Sequence, residues 1–212
     1  METGQKVHHL IILDESGSMN SIREPIIETF NEIVLSTKEC AKDFPEQEHF
    51  VTFATFNSNG MKSYLNSAPL QRFEIITGRN YRPDAATPLF DAVGRSISGL
   101  RDELRFQRKY KVLVSILTDG FENASREFSG RDIVNLQEEL RKSGNWTITY
   151  SGADHDVEAA ASSMDIRNFS RFDKSAAGLA ELRRRERMAK LNWLRKIREN
   201  EDTRDNYYNG IS

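Results

Sequence analysis

Asp14, Ser16 and Ser18 alternate along Asp14-Glu15-Ser16-Gly17-Ser18, and an acid stands beside a hydroxyl again in Thr118-Asp119-Gly120. Thr87, next to Pro88, adds a further hydroxyl between these two segments. Carboxylate and hydroxyl oxygens are hard donors, suited to Mg²⁺, Mn²⁺ or Ca²⁺ rather than to zinc or copper. Two aspartates balance one divalent cation, and neutral hydroxyls fill its shell without quenching it further. Such an ion still attracts a carboxylate from outside. In Asp14-x-Ser16-x-Ser18 the alternate side chains turn to one side of an extended loop, and Gly17 permits the tight path such a loop needs. Each residue has a plainer role when taken alone. Thr87 suits a helix cap, Ser16 and Ser18 suit a turn, and Asp119-Gly120 is a standard turn pair. Joint placement at strand ends argues for the metal.

That placement depends on the elements. Val7 to Leu13 reads as a buried strand, followed by a helix with apolar residues at Ile22, Ile26, Phe30, Ile33 and Val34. Phe50 to Phe56 alternates as a strand, meets the turn signal Asn57-Ser58-Asn59-Gly60, and predicts an antiparallel edge strand over Met61 to Leu65. Thr87-Pro88 starts a helix carrying Leu89, Val93, Ile97, Leu100 and Leu104 on one face. Val112 to Leu117 is apolar almost without break, as in a strand of a parallel sheet covered on both faces. Ser129 with Asp132 reads as a capping pair for a helix bearing Ile133, Leu136 and Leu140. Trp146 to Tyr150 is a further strand, then a small-residue helix covers Glu158 to Met164, and a short strand covers Asn168 to Phe172. The fold class expected is α/β, Rossmann-like: an open, mostly parallel sheet with one antiparallel edge strand and helices on both faces. Asp14 and Asp119 then leave the same edge of the sheet, where ligands bind in such folds.

The 212 residues, 38% hydrophobic and 29% charged, supply a proper core and exclude a collagen-like, low-complexity or disulfide-framework chain. A net charge of −2 removes the general case for a nucleic-acid binder, apart from a weak basic patch near the C-terminus. Residues 181–212 hold nine basic and six acidic side chains, net +3, against about −5 for the rest. We therefore set residues 1–175 apart as the domain and 176–212 as a basic helical extension with a polar tail. Leu182, Met188, Leu191, Leu194 and Ile197 form an irregular apolar stripe there, with Trp193 beside it. The stripe fits a helix that packs back on the sheet and frays after Asn200, or a detached helix that docks a partner. The single Cys40 fits the core of the first helix in a reducing compartment. His8, His9, His49 and His155 form no spaced metal pair, and Glu15, Asp84, Asp91 and Glu122 read as solvated rim charges. The N-terminal apolar run has no basic lead or cleavage site and is too short to span a bilayer. A soluble cytoplasmic protein, without membrane attachment, is expected.

Asp14-Glu15-Ser16-Gly17-Ser18-Met19, Thr87 and Thr118-Asp119-Gly120 together resemble the intact metal-ion-dependent adhesion site of von Willebrand factor A domains. The resemblance covers roughly residues 6–175. It implies that Ser16 and Ser18 ligate the ion directly, that Asp14 and Asp119 act mostly through bound water, and that Thr87 does either. It also implies Mg²⁺, with Mn²⁺ or Ca²⁺ as substitutes, and an open position for a Glu or Asp from a protein partner. The text from Thr118 to Arg126, with Tyr150-Ser151-Gly152-Ala153-Asp154, resembles stand-alone intracellular bacterial or phage members, including those associated with tellurium resistance and stress response. The expected function is a metal-dependent interaction module without turnover. One alternative is a metal-dependent phosphoryl or phosphodiester hydrolase. Against it, haloacid-dehalogenase-like phosphatases carry an aspartate where Ser16 stands, and the chain has no Walker-type loop or G-x-S-x-G elbow. The other alternative is a scaffold that binds through its basic C-terminal helix.

Overall fold

The apolar run at the N-terminus forms most of β1 (Gln5–Asp14). The computed structural model describes residues 4–153 and 156–211, so Asp154 and His155 of the sequence reading lie outside the described residues. Alternation divides the strand between two helical layers: Leu10 and Ile12 face one, Ile11 and Leu13 the other. β2 (Gln47–Asn57) and β4 (Tyr110–Thr118) flank β1, both parallel to it. The Asn57–Gly60 turn returns the chain as β3 (Gly60–Pro69), antiparallel to β2 and at the edge. β5 (Trp146–Gly152) and β6 (Asn168–Arg171) extend the sheet in parallel beyond β4. The order is β3-β2-β1-β4-β5-β6, so the chain leaves β1 on one side and comes back on the other. The fold is the mostly parallel α/β sheet expected, with a single antiparallel edge strand among the described residues.

α1 (Arg23–Lys42) and α5 (Ala176–Arg198) cover one face; Ile26, Phe30, Leu179 and Leu182 share a core with Ile11 and Leu13. α2 (Leu89–Leu104), α3 (Gly130–Ser143) and α4 (Val157–Ser163) cover the other. The start of α3 is the expected capping box, with Ser129 and Asp132 each bonding the other's backbone N–H. Cys40 is buried, as the helix pattern required.

The C-terminal stretch departs from its sequence reading in two ways. The buried face of α5 runs through Leu179, Leu182, Glu186, Ala189, Lys190, Trp193, Leu194 and Ile197, while Met188 is half exposed. Two charged residues thus lie on the inner face, and each has a partner: Lys190 Nζ donates to Thr37 Oγ1 (2.6 Å), and Tyr208 Oη donates to Glu186 Oε1 (2.5 Å). Beyond Asn200 the chain does not fray. Thr147 Oγ1 donates to the Thr203 carbonyl (2.7 Å), Asn168 Nδ2 to the Arg204 carbonyl (2.9 Å), and Tyr207 is buried beside Trp193. Composition alone made this segment look polar; hydrogen bonds from β5 and β6 and the buried Tyr207 hold it.

Candidate metal centre

Parallel pairing puts Leu13 beside Leu117, so Asp14 leaves β1 next to Thr118, with Asp119 one residue further on. This is the crevice where the strand order reverses, outside the carboxyl ends of the strands. Asp14 is fully buried, and its carboxylate is held from two sides. Oδ1 accepts the Ser16 N–H (2.7 Å) and Oδ2 accepts Thr118 Oγ1 (2.5 Å). Burial pushes its carboxyl up to about 6 against these donors, and the charge of Asp119 acts in the same direction. Ser16 has extended backbone, but Gly17–Ile22 is a 3-10 turn rather than an extended loop. That turn carries Ser18 Oγ to 3.1 Å from Ser16 Oγ and lets it donate to Asp119 Oδ1 (2.5 Å). Gly17 has no left-handed φ; its role is close approach, since a Cβ there would lie 3.3 Å from the Ala85 carbonyl.

Thr87 does not cap α2, which has no side-chain cap of its own. Its backbone is clamped by Asn123, whose Oδ1 accepts the Thr87 N–H (2.8 Å) and whose N–H donates to the Thr87 carbonyl (3.1 Å). Glu122 supplies the missing cap from another loop, accepting the Phe90 N–H (2.9 Å) and Ser125 Oγ (2.6 Å). Asp91 answers from the first turn of α2, accepting the N–H groups of Arg126, Glu127 and Phe128. Burial raises its pKa, but those three donors outweigh it and hold the carboxyl below its usual range. Asp91 and Glu122 are therefore structural clasps rather than rim charges. So is Glu15, almost wholly buried, which accepts from Thr55 Oγ1, Lys62 Nζ and the Arg82 N–H.

The structure thus brings all five sequence-predicted residues together: Asp14, Ser16, Ser18, Thr87 and Asp119. A Cβ built on Gly120 would lie 3.3 Å from Thr87 Oγ1, 3.4 Å from Ser18 Oγ and 4.0 Å from Asp14 Oδ2. The oxygens of two loops, Asp14–Ser18 and the Thr87 loop, therefore meet over Gly120 of the third, in a concavity that a side chain at Gly120 would crowd. Among the described residues no three His, Cys, Asp or Glu side chains cluster as a metal site. The donor set is two carboxylates with three hydroxyls, which fits a hard divalent cation.

Sequence reasoning missed two groups here. Tyr81, fully buried, donates its hydroxyl to the Asp14 carbonyl (2.6 Å). Burial, then the charges of Asp14, Glu15 and Asp119, push that hydroxyl well above its usual range, so it stays a donor. Lys174 places Nζ 2.7 Å from Asp119 Oδ2. Its only sequence signal is its position after β6, at the same sheet edge.

No family model matches the chain, and no curated protein does. Solved structures do. The SpRpn10 VWA domain superposes with a TM-score of 0.52 at 13% identity, over 83% of this chain and 93% of that one. The chain has the von Willebrand factor A fold. The PilB minor pilin from Streptococcus sanguinis gives 0.56 at 13% identity, over 91% of this chain and 63% of the pilin. Proximal thread matrix protein 1 from the mussel byssus gives 0.52 at 14% identity, over 89% and 46%. This chain thus spans about half of the byssus protein and under two thirds of the pilin.

Proposed function

We propose that this von Willebrand factor A fold is a divalent-cation-dependent protein-interaction module without catalytic turnover. The observation that carries the reading is that oxygens of Asp14, Ser18 and Thr87 meet over Gly120, with Ser16 Oγ and Asp119 Oδ1 both within hydrogen-bond reach of Ser18 Oγ. Ser16, Ser18 and Thr87 would hold the ion through neutral oxygens, and Asp14 and Asp119 would balance its charge. Mg²⁺ is the ion proposed, with Mn²⁺ or Ca²⁺ able to replace it. When bound, it supplies a Lewis-acid centre with a position open to a Glu or Asp of a protein partner.

The rest of the chain supports a rigid platform. Glu15, Asp91 and Glu122 spend their charge on fastening the loops that carry the five residues. The apolar side of α5 is spent on the core, which favours the crevice over this helix as the docking face. Among the described residues no helix is long and apolar enough to cross a membrane. A cytoplasmic protein of the bacterial or phage stress-response type, of the kind associated with tellurium resistance, is the setting we propose on the sequence resemblance.

The test is capture of partners on immobilised protein with Mg²⁺ present or chelated, wild type beside Ser16→Ala. A polypeptide retained only with Mg²⁺ and lost in Ser16→Ala supports the proposal. Retention indifferent to both changes overturns it.

A further inference from the structure

Lys174 precedes Ser175, the N-cap of α5, and its side chain reaches back across the crevice. Nζ lies 2.7 Å from Asp119 Oδ2 and 3.3 Å from Ser21 Oγ, on the 3-10 turn that carries Ser18. The Asp119 side chain is fully buried and that of Lys174 is only 21% exposed, so solvent and salt screen this pair weakly. The other carboxylate oxygen of Asp119 accepts from Ser18 Oγ, on the side of the concavity. One carboxylate therefore faces an ammonium on one oxygen and the candidate ion site on the other.

We infer that Lys174 is a tethered ammonium that competes electrostatically for Asp119 and weakens the centre's hold on a divalent cation. The inference rests on the metal-centre reading above and adds its regulation. Asp14 and Asp119 together neutralise a divalent ion. Lys174 sets an ammonium beside one of those carboxylates, which opposes the ion there and favours the approach of an outside carboxylate. Tight holding of the ion is thereby tied to the arrival of an acidic partner, rather than being complete beforehand.

The experiment is calorimetric titration of the whole chain with Mn²⁺, comparing wild type, Lys174→Met, Lys174→Gln, Lys174→Arg and Asp14→Ala. Thermal unfolding of each confirms its fold. Lys174→Met is expected to bind Mn²⁺ roughly tenfold or more tightly, as removal of a close like charge requires. Lys174→Gln should follow it, and serves alone if the methionine variant does not fold. Lys174→Arg, which keeps the charge, should stay near wild type. Equal or weaker binding in both neutral variants, with binding lost in Asp14→Ala, overturns the role of Lys174 and leaves the metal centre standing. Absence of Mn²⁺ binding in wild type and in both neutral variants overturns the centre itself, and this inference with it.

Discussion

Replacing Gly120 with alanine adds one methyl group to the concavity and removes no oxygen. Gly120 is not among the residues with left-handed φ, so alanine can adopt its backbone. The new Cβ would meet Thr87 Oγ1 at 3.3 Å and Ser18 Oγ at 3.4 Å, contacts that a shift of a few tenths of an ångström relieves. The entropy lost by the unfolded chain offsets that crowding, which leaves stability within about 1 kcal/mol of wild type. The effect on an ion is far larger. Mg²⁺ needs oxygens at about 2.1 Å in a near-octahedral shell, with several positions kept by water. A methyl carbon facing the same three oxygens takes that space, and the affinity for Mg²⁺ or Mn²⁺ is expected to fall at least about a hundredfold, or ~2.7 kcal/mol. Calorimetric titration with Mn²⁺ beside urea unfolding separates the two effects. A Gly120→Ala protein that is stably folded and binds Mn²⁺ like wild type would refute the idea that the concavity is the ion's place.

Four further outcomes are expected. Burial, with Lys6 near one and Lys190 near the other, pushes His8 and His49 from 6.5 down to about 4. The unfolded chain therefore takes up protons that the folded one refuses, so stability falls as pH drops below 6.5. Between pH 7 and pH 5 the loss is about 2 kcal/mol for each histidine and buried His9 adds in the same direction, while Asp14, raised to about 6, offsets about 1 kcal/mol. Urea midpoints unchanged between those pH values would contradict it. Glu122→Ala removes the distant cap of α2 and loosens the Thr87 loop; it should cost about 1–2 kcal/mol and weaken Mn²⁺ binding several-fold. Ser129→Ala, at the start of α3, should cost about 1 kcal/mol in urea unfolding and leave Mn²⁺ affinity alone; equal Mn²⁺ affinities in both variants would remove Glu122 from the site's support. Ala85, beside Gly17, has a left-handed φ of 64°, so Ala85→Gly should stabilise by roughly 0.5–1 kcal/mol, and a lower urea midpoint would show the strain is not there.

What the sequence made legible was local. Strands announced themselves as apolar runs at Val7–Leu13 and Val112–Leu117, the hairpin by Asn57–Gly60, and the start of α3 by Ser129 and Asp132. The five oxygen-bearing residues stood out because their types and order match one chemical purpose, and their convergence follows once β1 and β4 are neighbours. Distant partners were not legible. Glu122 caps a helix that begins many residues earlier, and Asp91 closes the same clasp from the other side. No short-range pattern encodes such a pairing. Nothing in the sequence singled out Glu186 and Lys190 on α5, because hydropathy patterns cannot see Tyr208 and Thr37 opposite them. Lys174 escaped for the same reason: an isolated lysine acquires meaning only when the fold sets Asp119 within its reach.

Titration of chelator-stripped protein with Mg²⁺ and with Mn²⁺, wild type beside Asp14→Ala, tests the central claim most directly. Saturable binding near one equivalent in wild type, lost in a folded Asp14→Ala, is the result predicted. Binding that survives in Asp14→Ala would contradict the assignment of the ion to the crevice between β1 and β4.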